Sequence, residues 1–250
     1  MQENIIYYKN MCIKNVCKFK NLNDLKKKVE KDVSILKKFQ YEEKIYSNVD
    51  IIKTTYNIYM YIIKYGTVEM LEYLEKYLLC DIKSYKDDYD TDCYLIAVSG
   101  GNLEMMKYLE KEYNWSPYVK NCFGNDAYLT ASHYGQLNIM KYLEKEYNWN
   151  INVKDNYGFD AYLIASHNNQ YEIMKYLEKM HNWSPYVKNN FGNDAYLIAA
   201  ASQNLEMMKY LEKEHNWSPF VKNNFKETAY DIAIKNNFKK IENHMSKITF

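Results

Sequence analysis

Residues 114–121 read Asn-Trp-Ser-Pro-Tyr-Val-Lys-Asn, and the same eight residues return at 182–189. Trp115, Trp149, Trp183 and Trp217 mark a spacing of 34 residues, and Asn-Asp-Ala-Tyr-Leu occurs at both 125–129 and 193–197. Met-Lys-Tyr-Leu-Glu-Lys recurs unchanged at 106–111, 140–145, 174–179 and 208–213. A strict period between 20 and 50 residues means stacked supersecondary units, each unable to bury its apolar face alone.

One unit, Asp126 to Phe159, shows how the stack is built. Asp126 precedes Ala-Tyr-Leu-Thr-Ala-Ser. Its carboxylate can accept from the orphan N–H groups of the next turn, so it reads as a helix N-cap. A short first helix is expected to run to about His133, with Gly135 supplying the left-handed turn. The second helix, about Leu137 to Tyr147, carries apolar residues at 137, 139, 140 and 143, which is helical spacing with one buried stripe. Glu144 lies three residues beyond Lys141, a solvated ion-pair arrangement on the outer face. Asn148 is expected to cap the helix. Asn150 to Phe159 then forms an extended finger with a tight turn at Tyr157-Gly158. Helices this short are marginal in isolation, so stacking must stabilise them.

The unit resembles the ankyrin repeat. The family pattern of Gly, any residue, Thr-Pro-Leu-His, any residue, Ala and a later Gly is met by Gly124, Asn125, Asp126-Ala127-Tyr128-Leu129, Thr130, Ala131 and Gly135. Ile139, Met140 and Leu143 match the second-helix aliphatic positions. The repeat departs from the family in its length of 34 rather than 33. Tyr147-Asn148-Trp149 stands in place of Gly-Ala-Asp, and Leu129 in place of histidine, so that histidine's hydrogen-bond network is absent. The Asp-Ala-Tyr-Leu and Asn-Trp variants are most similar to ankyrin proteins of giant DNA viruses of the mimivirus type.

The resemblance implies an all-α solenoid of helix–turn–helix plus finger units, stacked side by side. It divides the chain into 92–125, 126–159, 160–193 and 194–227, after a diverged repeat at 55–91 and before a C-terminal capping repeat at 228–250. There Lys239 and Lys240 turn the second helix polar. Residues 1–54, with an apolar stripe of Leu25, Val29, Val33, Leu36 and Phe39, read as a degenerate N-terminal capping repeat, with a separate recruitment module or disorder as the alternatives.

Composition narrows the function. The 250 residues carry formal net charge +1, and all 33 basic side chains are lysine. A dedicated nucleic-acid binder is basic and uses arginine for bidentate recognition, so no nucleic-acid partner is expected. No stretch approaches the roughly 18 apolar residues of a membrane span. Lys9 and Lys14 interrupt the one candidate leader, so retention in the cytoplasm is expected. The five cysteines are odd in number and out of register with the repeat, which fits a reducing, intracellular compartment.

There is no GxSxG, HExxH or glycine-rich phosphate loop, so neither enzymatic activity nor a cofactor is expected. His133 and His167 are one repeat apart. Neighbouring helices lie roughly 8–10 Å apart whereas zinc ligands sit roughly 2.0–2.3 Å from the ion, so metal binding is not expected. The tryptophans, identical in place, read as inter-repeat core.

Function should lie where the repeats differ. The ends of the first helices and their turns vary: Ser99-Gly100, His133-Tyr134, His167-Asn168 and Ala201-Ser202. In proteins of this kind such positions line a concave groove that contacts partners, together with the finger tips. The tips carry Tyr89, Phe123, Tyr157, Phe191 and Phe225, the last four followed two residues later by Asn125, Phe159, Asn193 and Glu227. The tip aromatics are either anchors for a partner or rings that pack on the next finger. A monomeric protein-interaction scaffold is the leading expectation. A ubiquitin-ligase adaptor docking through residues 1–54, or a virion component, are the alternatives.

Overall fold

The computed structural model describes residues 58–77 and 82–248, together with Asn23, Lys26 and Lys27. The degenerate capping repeat expected at 1–54 therefore lies outside the described residues. Contacts group the chain into two compact units, Met1–Ser116 and Pro117–Phe250, where the sequence reading expects one continuous array.

The described residues are all-helical, with no strand. In the first unit, α1 (58–65) and α2 (Val68–Tyr77) precede a short 3-10 turn, Ile82–Ser84. Next come α3 (Cys93–Gly100) and α4 (Leu103–Tyr113). The second unit holds the pairs α5 (Ala127–Tyr134) with α6 (Leu137–Tyr147), and α7 (Ala161–His167) with α8 (Tyr171–His181). The pairs α9 (Ala195–Ala201) with α10 (Leu205–His215), and α11 (Ala229–Lys235) with α12 (Lys239–Ile248), complete it. The expected end of α5 moves by one residue, to Tyr134, and the expected bounds of α6 hold.

The helices begin where the carboxylates are. Asp126 accepts from the Tyr128 and Leu129 amides, both at 3.0 Å, and Asp160 from the Leu163 amide at 2.9 Å. They end where a residue can adopt positive φ. Every described residue with positive φ falls at one of three places in the repeat. One is the fingertip (Asp90, Gly124, Gly158, Gly192, Lys226). Another is the turn between the two helices (Gly101, Gly135, Asn169, Gln203, Asn237). The third is the end of the second helix (Asn114, Asn148, Asn182, Asn216). Glycine and asparagine dominate because they enter the left-handed region at the lowest cost.

The core of the second unit is the apolar seam read from the sequence. Tyr128, Tyr162 and Tyr196 are fully buried with Leu129, Leu163 and Leu197, against Met140, Leu143, Met174, Leu177, Met208 and Leu211. The lost histidine network is replaced by serine. The Ser132 hydroxyl donates to the Ala161 carbonyl at 2.6 Å, and Ser166 to the Ala195 carbonyl at 3.0 Å. Each bond ties one first helix to the start of the next, which satisfies a buried hydroxyl and fixes the offset between repeats.

Candidate protein-interaction surface

Between the helices of the first three pairs in the second unit, the turn residues form a lateral chain. Asn168 Nδ2 donates to the Ile164 carbonyl at 2.9 Å and lies 3.3 Å from His133 Nδ1. Only a donor can serve the carbonyl, so His133 Nδ1 accepts and its proton sits on Nε2. Ser202 Oγ donates to the Ile198 carbonyl at 2.8 Å and lies 2.7 Å from His167 Nδ1, so here the imidazole nitrogen donates. Gln170 Nε2 reaches the His133 carbonyl at 3.2 Å, and Asn204 bonds Asn169 across the next turn.

Burial, with a smaller contribution from neighbouring His167, holds the His133 imidazole below its ordinary range, and burial does the same to His167. Both are therefore neutral near pH 7. The surface offers uncharged hydrogen-bonding edges beside the exposed ring of Tyr134, which sits 4.6 Å from the His133 ring.

Not every expected contact residue is available. Ser99, in the first unit, is buried and its hydroxyl bonds the Ile96 carbonyl of its own helix, so it offers little to a partner. Ser202 and Asn168 are half-buried, and His133 is half-buried rather than fully exposed. Tyr134 and His167 remain exposed.

The fingers of the second unit are stitched together by their backbones. The amides of Asn156, Asn190 and Asn224 donate to the carbonyls of Phe123, Tyr157 and Phe191, each at 3.0 Å. The tip glycines leave room for this: a Cβ on Gly158 would stand 2.8 Å from the Asn190 amide nitrogen. Phe123, Tyr157, Phe191 and Phe225 are all exposed in part. The Tyr157 and Phe191 rings stack at 6.4 Å, so packing on the next finger accounts for some of this ladder. Asn125, Phe159 and Asn193 are half-buried at the finger base. The amides of Asn125, Phe159 and Asn193 each close the tip turn onto Asn121, Asp155 and Asn189. They support the fingers more than they present themselves.

Two sequence expectations fail. The first concerns Glu144, expected in a solvated pair with Lys141. Its side chain is 16% exposed. It accepts from the Tyr128 hydroxyl at 2.7 Å and, from the next repeat, the Tyr176 hydroxyl at 2.6 Å and His181 Nε2 at 3.1 Å. Lys141 instead lies 5.1 Å above the Tyr176 ring. The motif recurs: Glu178 takes the Tyr162 hydroxyl, and Glu212 takes the Tyr196 hydroxyl and His244 Nε2. Burial, reinforced by the carboxylates, drives the Tyr128, Tyr162 and Tyr176 hydroxyls far above the ordinary phenol range. The alternation of Glu and Lys along the helix hides this, because one helix shows its own faces and not the donors arriving from the next. The recurrence of tyrosine 16 residues before glutamate was the available signal.

The second concerns tryptophan. Trp149 and Trp217 are core, 7% and 4% exposed, whereas Trp115 and Trp183 are only half-buried. Trp115 Nε1 donates to Asp92 Oδ2 at 2.8 Å, so the N-cap carboxylate serves helix and indole together. In the 160–193 repeat, Trp183 Nε1 and Asp160 Oδ2 are buried without hydrogen-bond partners.

Among the described residues no cluster of histidine, cysteine and carboxylate side chains could hold a metal ion, and no helix is long and apolar enough to cross a membrane. A family model described as ankyrin repeats, in 3 copies, matches residues 94–188. No curated protein matches the chain. Among solved structures, the chain resembles one from the Bd0816 predatory endopeptidase of Bdellovibrio bacteriovorus in complex with immunity protein Bd3460. The identity is 19% and the TM-score 0.53, over 76% of this chain and 96% of that one. Ankyrin repeats are thus present over 94–188, and the fold of the described residues is an ankyrin-like helical solenoid.

Proposed function

We propose that the protein is a non-enzymatic interaction scaffold, and that the second unit binds a partner protein through Tyr134, His167 and the hydrogen-bonded turn residues beside them. The tip rings of Phe123, Tyr157, Phe191 and Phe225 extend this surface. One observation carries the reading: the residues that vary between repeats are ordered by a lateral hydrogen-bond chain yet keep exposed rings and edges. Groups fixed before binding lose little freedom on binding, and tyrosine adds large contact area at low entropic cost. Ankyrin repeats support the same role. An exposed free thiol at Cys122 fits a reducing compartment, and we place the binding event inside a cell, with host proteins as the partners of a viral chain.

Affinity capture from cell lysate, read by mass spectrometry, tests this. Tyr134→Ala with His167→Ala should abolish capture of specific partners and leave the melting temperature nearly unchanged. His133 and Asn168 are left in place because Asn168 holds the Ile164 carbonyl. Undiminished capture by a folded double variant would remove this surface from consideration.

A further inference from the structure

We propose that Trp183 is a docking seat for an aromatic side chain, tyrosine above phenylalanine, presented by a partner polypeptide. The chain itself shows what the seat accepts. On Trp149 lies Tyr118, stacked at 4.6 Å and 7°, and on Trp217 lies Tyr186, at 4.6 Å and 30°. Those two indoles are buried. In the same register Trp183 receives Asn152, which is exposed, and no ring stacks on Trp183 among the described residues. Its indole is accordingly half-buried.

The backbone around the seat is unchanged. The Asn152 amide bonds Asn150 Oδ1 at 3.1 Å, as the Tyr186 amide bonds Ser184 Oγ at 3.3 Å. Asn152 therefore occupies the covering position with a side chain too small to cover. Flat aromatic faces stack with offset aromatic partners, and an indole left partly exposed between repeats whose indoles are closed is shaped for one more ring. The hydroxyl sets the preference: Tyr186 also donates to the His215 carbonyl at 3.3 Å, and the counterpart of that acceptor here is the His181 carbonyl. The seat lies at the far end of α8 from the turn surface, roughly 16 Å along an 11-residue helix. It is thus separate from the turn residues of the binding surface proposed above.

The test uses the full-length, nitrogen-15-labelled protein and the indole N–H signals of its four tryptophans, with Trp183 assigned through Trp183→Phe. The probe is acetyl-Ser-Pro-Tyr-Val-Lys-Asn-amide, the sequence of residues 116–121. The expected result is a saturable shift confined to uncovered indoles, Trp183 among them, which is weaker with phenylalanine and absent with alanine in place of tyrosine. Asn152→Tyr, which supplies the missing ring, should weaken peptide binding at Trp183 by about tenfold or more while far-UV circular dichroism is unchanged. No shift at Trp183, equal shifts at Trp149 and Trp217, or full binding by folded Asn152→Tyr would overturn the proposal. A Trp183 signal that moves with protein concentration alone would also overturn it, identifying a second copy as the occupant.

Discussion

Replacing Glu144 with alanine should be among the more costly single changes available on α6. Its carboxylate holds three donors: the Tyr128 hydroxyl at 2.7 Å, the Tyr176 hydroxyl at 2.6 Å and His181 Nε2 at 3.1 Å. Tyr128 is fully buried, so its hydroxyl would lose its carboxylate partner where water reaches poorly. Tyr176 and His181 are half-buried and can turn to solvent. A hydrogen bond to a charged group contributes about 1.5–3 kcal/mol, and a stranded buried donor costs about 1–3 kcal/mol, so Glu144→Ala should destabilise by about 2–4 kcal/mol. For a chain of this size that lowers the melting temperature by about 5–15 °C.

Glu146 is the control, because it is more exposed and, among the described residues, pairs with its exposed neighbour Lys145. Glu146→Ala should change stability by about 0.5 kcal/mol or less. Glu144→Gln keeps one acceptor oxygen and should fall between the two. Urea titrations followed by circular dichroism measure all three, and a cycle with Tyr176→Phe should show coupling of about 1 kcal/mol. If Glu144→Ala and Glu146→Ala are equally mild, the carboxylate does not bind successive repeats together and the cluster is decoration.

Three further outcomes follow from the geometry. His133 and His167 titrate below the reference value of 6.5 when folded. The unfolded chain then binds more protons just beneath that value, so their contribution to stability is lost as pH falls through the window. His133→Gln with His167→Gln should flatten the urea midpoint between pH 7 and 5, and an unaltered slope would exclude these residues as its source. Gly158→Ala forces a Cβ toward the Asn190 amide at a φ of +80, so it should cost about 2–4 kcal/mol by strain and loss of the Asn190–Tyr157 bond; a loss below about 1 kcal/mol would mean the fingers are not stitched there. Trp217→Ala should cost about 3–5 kcal/mol and Trp183→Ala roughly half of that, since one ring is buried and the other half-buried; equal losses in chemical denaturation would refute the distinction.

Much of the fold was legible because a repeat states its rules several times. The Asp126 cap, the left-handed Asn148 and Gly135, and the Tyr157-Gly158 tip are local chemistry, decided within a few residues of chain. The turn surface was legible as a place: residues that vary against a fixed background. Its bonding was not, since His133 meets Asn168 and His167 meets Ser202 35 residues away, an offset one longer than the period.

The 34-residue period by itself determined that these segments are helical, where each helix starts and stops, and which stripe is apolar, because capping, backbone strain and burial act within a repeat. Only the tertiary structure decided what happens between repeats. It turned Glu144 from a solvated charge into a half-buried acceptor, since two of its three donors come from the following repeat. It also closed Trp149 and left Trp183 open, since the ring that covers an indole belongs to the preceding finger. Contacts of that kind depend on how adjacent units are offset, and no single 34-residue segment contains that information.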